Sequence, residues 1–557
     1  MKNHFLCYDA DNAISSIEEA GVPEGSLKPI IAELYSSLKK DVLFIRKGEN
    51  PLKYFVKYQQ KSGYQLISDP ESLSYEEAKK VVNTLNQRFF SNSWYVDSLR
   101  DEIIKLVIGN KKEDWLDLFK LTKSYLTELI NLGYDARWIV LEAHKIFYRT
   151  CPISSPNIIS DFLCGFDFKE KEYDVIAIVD RSVKSLFGDS KDSTVLSSFT
   201  PRTKSIKEIN FLNKKSKERY VIMHVKAVDP FSAASRSQSQ IDLLLSIRRM
   251  MDHDYKFEIE KIRWGVYDSN NWFIYIQKEK SAVQRVKMPP KKQMLSQLDR
   301  LVTAVGKTLN RRNYRDITAV VNALKFHSLS LDSNSKENQL LDLWAIFETL
   351  LDIQNNHTND RIQQVCIYLV PILKRKYIYA LFSQLSYDIK NFSEEWYHRI
   401  VGESTDTDEI VKKVCSFVLL PELSSLKDEF LASCDGFPLL RERIEYYARV
   451  LATPKHIFDF IEKHSERVRW QIMRIYRNRN LIIHNADSMP YLSLLVENLH
   501  AYVDDFLEYA MESLAHSHSL ESMCQELFAE ECEFMDQFQR SKEKEVSEKI
   551  IQRIILA

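Results

Sequence analysis

The chain has 557 residues, with 77 Lys plus Arg against 78 Asp plus Glu and a formal net charge of −1. That length accommodates several domains with large buried cores, and 45% hydrophobic with 28% charged residues is the make-up of an ordinary globular protein, not of a disordered tail. A balanced charge excludes a protein that coats nucleic acid over its whole surface and leaves room for a local basic patch.

Glycine is scarce, at 12 residues against a usual share of about 7%, which favours long helices over strands and tight turns. The glycines are scattered, and neither GxGxxG nor GxxxxGK(S/T) occurs, so Rossmann and P-loop phosphate cradles are excluded. Eight cysteines (Cys7, Cys151, Cys164, Cys366, Cys415, Cys434, Cys524, Cys532) form no CxxC pair, the usage of a reducing compartment. The opening MKNHFLCYDADNAISSIEEAG lacks the apolar run of a signal peptide. The apolar stretch around Val365 to Leu373 is far shorter than a bilayer span. The expectation is a cytoplasmic protein with no membrane contact.

Residues 11 to about 165 have helical periodicity, with Ser74-x-x-Glu77 as a capping box ahead of Val81, Val82, Leu85 and Phe89. Trp115, Leu118, Phe119, Leu121, Leu126 and Leu129 continue an amphipathic stripe, and a short helix follows Gly133. From 166 to 290 the character changes. Tyr173 to Arg181, Arg219 to Val228 and Asn271 to Gln277 are short β-branched and aromatic runs that predict strands. Asp229-Pro230 is an N-cap and first-turn pair, which predicts a helix directly after the second strand.

Beyond about 291, marked by the Pro289-Pro290-Lys291-Lys292 junction, helical spacing returns. Segments at 293–309, 316–330, 336–354, 360–390, 406–433, 438–450, 455–483, 490–514 and 520–550 are expected helices. The expected fold is therefore mainly α: a helical N-terminal domain (1–165), a small central α/β module (166–290) and a C-terminal helical bundle (291–557).

One stretch departs from the balanced charge. Arg467, Arg469, Arg474, Arg477 and Arg479 put five arginines into 13 residues, and His484 follows in the same expected helix. Arginine and histidine together on a basic surface are what metal-free RNA cleavage requires. An imidazole that titrates near neutrality can take the proton of a ribose 2′-hydroxyl or protonate the departing 5′-oxygen. A guanidinium fork can hold the phosphate and stabilise the charge that builds on it. DNA lacks the 2′-hydroxyl, so this chemistry selects RNA by mechanism. Arg477, Asn480 and His484, at i, i+3 and i+7, share a helical face, whereas Arg479 points partly aside unless the helix frays or tightens. Spacing alone does not choose between Arg477 and Arg479.

The string RNLIIH, Arg479 to His484, resembles the R-N-x-x-x-H signature of HEPN-domain ribonucleases, and YRNRNLIIHN is similar to their Apea-like branch. DLWAIFETLL, Asp342 to Leu351, resembles the W-x-x-x-E helix found earlier in those domains. The resemblance covers about 290 to 515. It implies a metal-independent endoribonuclease without a cofactor, with two domains paired across one cleft, so a homodimer or higher even assembly. The products would carry a 2′,3′-cyclic phosphate and a 5′-hydroxyl, and the role would be that of a toxin-like or abortive-infection effector against phage. Arg479 and His484 would be catalytic and Asn480 would support them. Arg474, Tyr476, Arg477 and Glu348 are expected to support the site or bind RNA.

Glu348 stands out independently, since Leu341, Trp344, Glu348 and Leu351 place its carboxylate on an apolar face, where it needs a partner; Arg477 and Arg479 are the candidates. Plainer readings exist for each feature: a solvated face for the arginines, a satisfied interior histidine for His484, a structural ion pair for Glu348. His516 and His518 in AHSHS lack adjacent Cys or carboxylate ligands and read as an exposed loop, so no metal is expected there. No GxSxG elbow supports a serine triad. The alternatives to a nuclease are a non-catalytic HEPN scaffold and a nucleic-acid-binding regulator. Residues 1–290 are expected to restrain the nuclease or to sense a phage trigger or regulatory partner.

Overall fold

The structure, a computed structural model, describes the chain except residues 1–2, 21–23, 60–62, 92, 149–154, 181–192, 204, 214–217, 252–261, 271, 277–313, 334, 352–360, 435, 486–490, 516–518, 542–544 and 556–557. It is mainly helical and separates into two compact units, Met1–Glu279 and Lys280–Ala557. The expected helix at 293–309 and the Pro289–Lys292 junction lie outside the described residues.

In the first unit a helical layer and an antiparallel sheet pack together. Ser74 and Glu77 form the capping box, with each side chain bonded to the other's backbone N–H. One hairpin interrupts the helical region, β1 (Val56–Gln59) with β2 (Gly63–Leu66). The main sheet has the order β4-β5-β3-β6-β7, from β3 (Lys171–Asp180), β4 (Ser193–Leu196), β5 (Glu218–Ala227), β6 (Arg263–Tyr267) and β7 (Phe273–Ile276). Its alternation decides both faces: Val175, Ala177 and Val179 meet Phe231, Ile241 and Leu245 of the Pro230–Met251 helix, while Ile176 and Ile178 meet Phe211 and Tyr267 on the other side. Strands buried on both faces are near-continuous apolar runs, which is why β3 and β5 were legible. β4 and β6 were not. In β6, Gly265 interrupts the run because a Cβ there would lie 2.7 Å from the rings of Phe211 and Phe273. Asp229 caps its helix as expected, accepting from the N–H groups of Phe231 (2.8 Å) and Ser232 (2.9 Å). It also accepts from the Asp135 N–H at 2.8 Å and so ties the sheet to the helical layer.

The second unit is all helix among the described residues, and it contains two apolar cores that share three helices, two of them long. Arg361–Phe392 and Pro454–Asn485 each run 32 residues, about 48 Å at 1.5 Å per residue. Val365 to Leu373 and Val468 to Ile475 enter one core with the helices Tyr314–Asp332, Lys336–Leu350, Leu492–Ala515 and the start of Leu520–Gln539. Ile378 to Ile389 and Ile457 to Ile461 enter the other, with Thr407–Leu419, Pro438–Val450, Glu548–Ile555 and the end of Leu520–Gln539. Two expected segments, 406–433 and 520–550, are each broken in two, the first at Leu420-Pro421. The short helix Glu394–Val401, capped by Ser393, was not anticipated.

Where the long helix passes from one core to the other lies Lys374, 3% exposed, paired with Glu462 at 3.3 Å and with Glu531. A buried ammonium is tolerated only with such partners, and deleting it leaves the 17%-exposed Glu531 without its cation. Lys374→Met should lower stability by about 1–3 kcal/mol, read from urea unfolding; a variant as stable as the parent would show the pair to be dispensable.

Candidate functional site

The Pro454–Asn485 helix begins conventionally, with Thr453 Oγ1 accepting from the His456 N–H at 3.1 Å and Pro454 in the first turn. Its core-facing stripe is Val468, Ile472 and Ile475, in steps of four and three. Continuing that rhythm by four residues reaches Arg479, and by three more Ile482, which packs against the same core. The arginine is therefore turned toward the core by the register of the helix, without any fraying. It sits one turn past Ile475, on the side where the Lys336–Leu350 helix packs.

That helix supplies the partner. Ser335 caps it by accepting from the Asn338 N–H, and Leu340, Leu343, Trp344 and Phe347 anchor it in the core. Glu348 lies one turn beyond Trp344 and accepts from the indole Nε1–H at 3.1 Å. The Arg479 guanidinium donates to both Glu348 oxygens, at 3.1 and 3.5 Å, and to Asn480 Oδ1 at 3.1 Å. The side chains of Arg479 and Glu348 are each 23% exposed. A carboxylate held by an indole N–H and a guanidinium is worth more here than on an open surface, where ion pairs contribute little. The ring of Tyr476 lies 5.4 Å from that of Trp344, tilted by 39°, and closes the inner side of the group.

Trp344, Glu348, Tyr476, Arg479 and Asn480 thus form one cluster spanning the two helices. Of the two arginines that spacing left open, Arg479 is in contact with Glu348. Arg477 is half-buried and Arg467 and Arg469 are exposed on the same helix. Arg474 is 2% exposed, so it acts within the scaffold and not as an RNA-facing group. His484 belongs to the last turn of the helix, four residues after Asn480; its side chain lies outside the described residues.

Two further residues of this helix bear on the chemistry. Asn478, also 2% exposed, donates from Nδ2 to the Arg474 carbonyl at 3.0 Å, while its buried Oδ1 has no hydrogen-bond partner among the described residues. Sequence reasoning passed over it, although its i+4 relation to Arg474 was a usable signal. His464 stacks on Tyr377 with ring centroids 3.5 Å apart, and burial together with the Arg467 charge pushes its pKa down to about 4. It is neutral at physiological pH and poorly suited to general acid–base work there.

Compared with protein-family models, with curated proteins and with solved structures, the chain matches none.

Because Glu348 fixes the Arg479 guanidinium, Glu348→Gln should leave the fold intact but release the arginine. The RNA cleavage proposed below should fall about 10- to 100-fold in this variant, the cost of a misplaced group, with circular dichroism unchanged. Undiminished cleavage would remove Glu348 from the site.

Proposed function

We propose that the chain is a metal-independent endoribonuclease of the HEPN type, acting as a toxin-like effector of phage defence. The observation that carries this reading is the guanidinium of Arg479, oriented by Glu348 and Asn480, on a helix whose last turn carries His484. Neutral and protonated imidazole serve in turn. One His484 takes the proton of the ribose 2′-hydroxyl, the 2′-oxygen attacks the adjacent phosphorus, and the bond from phosphorus to the 5′-oxygen breaks as that oxygen receives a proton from an imidazolium. Arg479 holds the phosphate oxygens and stabilises their added charge. Arg477 and the exposed Arg467 and Arg469 extend the basic surface along the RNA backbone. A homodimer supplies the second imidazole and guanidinium across one cleft, so the acid and the base come from different subunits.

The products carry a 2′,3′-cyclic phosphate and a 5′-hydroxyl. Sequencing 5′-hydroxyl RNA ends on induction tests the reaction and identifies the substrate together. His484→Ala and Arg479→Ala should each lower cleavage about 10²- to 10⁴-fold while the chain stays folded, and chelator should leave the cleavage rate of the parent unchanged. A non-catalytic scaffold would yield no such ends from the parent chain. A DNA-binding regulator would bind duplex DNA with a steep salt dependence and give no RNA product.

The first unit restrains the nuclease until a trigger arrives, a reading that rests on the harm an unrestrained ribonuclease does to its host. Expression of residues 280–557 alone should then slow growth more than the full chain at equal abundance. Equal toxicity would refute the restraint.

A further inference from the structure

Outside the arginine cluster, the second unit brings together three groups with the chemistry of metal ligands. His500 and Asp504 occupy one face of the Leu492–Ala515 helix, four residues apart, and His327 reaches them from the Tyr314–Asp332 helix. His327 Nε2 lies 3.0 Å from one oxygen of Asp504, and His500 Nδ1 lies 3.2 Å from the other. The two imidazole rings are 5.0 Å apart between centroids.

His500 is the informative member. It is 4% exposed, yet neither ring nitrogen makes a hydrogen bond of good geometry, the 3.2 Å approach to Asp504 being out of line. A buried imidazole with no well-formed hydrogen bond on either nitrogen is costly unless something else uses a lone pair. The potential ligand atoms of all three residues lie within 4.8 Å of one another. Ligands of one zinc ion at about 2.0–2.2 Å stand no more than roughly 4 Å apart, so small side-chain rotations complete the site. Asp504, at 38% side-chain exposure, opens the cluster to solvent and gives an ion a way in.

The geometry points to a divalent transition-metal site, of zinc type, formed by His327, His500 and Asp504. Two imidazoles and one carboxylate suit zinc over calcium or magnesium, which take oxygen ligands, and three protein ligands leave the fourth position to water. The ion staples the Tyr314–Asp332 helix to the Leu492–Ala515 helix. Both helices contribute to the core that holds Trp344 and Phe347, so the staple steadies the bundle around the arginine cluster and takes no part in the proposed cleavage. It is separate from that reading and is tested by binding alone.

The full chain, stripped with chelator and dialysed, is titrated with Zn2+ against a chromophoric competitor and, separately, with Co2+. The expected result is one ion per chain, ligand-field bands of a four-coordinate nitrogen and oxygen site, and a rise in Tm of a few degrees with saturating Zn2+. His500→Gln and His327→Gln should each abolish that site. Asp504→Asn, which keeps the shape of the side chain, should weaken binding at least about tenfold with an unchanged circular-dichroism spectrum. The double change His516→Gln with His518→Gln should leave binding as it was. Absence of four-coordinate Co2+ bands from the parent chain overturns the assignment whatever the variants do, as does binding that only the His516 and His518 changes remove.

Discussion

A guanidinium occupies the position at which an apolar stripe would otherwise continue, and a carboxylate from the neighbouring helix meets it there. Val468, Ile472 and Ile475 set the register of the long helix against the core, and that register delivers Arg479 to Glu348 at 3.1 Å. Turning a charge inward in this way is stable only if its partner is already oriented. Glu348 is, because the Trp344 indole holds one of its oxygens and Trp344 itself is part of the core. The packing of the bundle and the placing of Arg479 are thus one problem with one solution.

The architecture of the second unit serves the same end. Two helices of 32 residues run through both of its cores, so the helix that bears the arginines is anchored far from them, by Ile457 and Ile461, as well as beside them. Lys374, held by Glu462 and Glu531, occupies the passage between the cores. Among the described residues no helix is long and apolar enough to cross a membrane; the apolar helix faces are used in these cores instead.

Much of the fold was legible because its signals are local. Ser74 with Glu77, and Asp229 with Pro230, are capping chemistries complete within a few residues, and both form as the sequence indicates. β3 and β5 announced themselves because burial on both faces demands unbroken apolar runs. β6 did not, since Gly265 answers to the rings of Phe211 and Phe273, residues that the sequence does not place beside it. The hairpin of β1 and β2 is too short to outweigh the helical pattern on either side of it.

For the candidate site the division is similar. The sequence alone determined that basic and acid–base groups share one helix, that Asn480 and His484 lie one turn apart, and that Glu348 projects from an apolar face and must find a positive partner. Those follow from helical period and the cost of an unpaired charge. Only the tertiary structure decided that Arg479 is in contact with Glu348, that Arg474 is sealed inside, and that His327 crosses to His500 and Asp504. Each of these depends on which faces of separate helices meet, and that is settled by packing between segments far apart in the chain, which no spacing within one helix encodes.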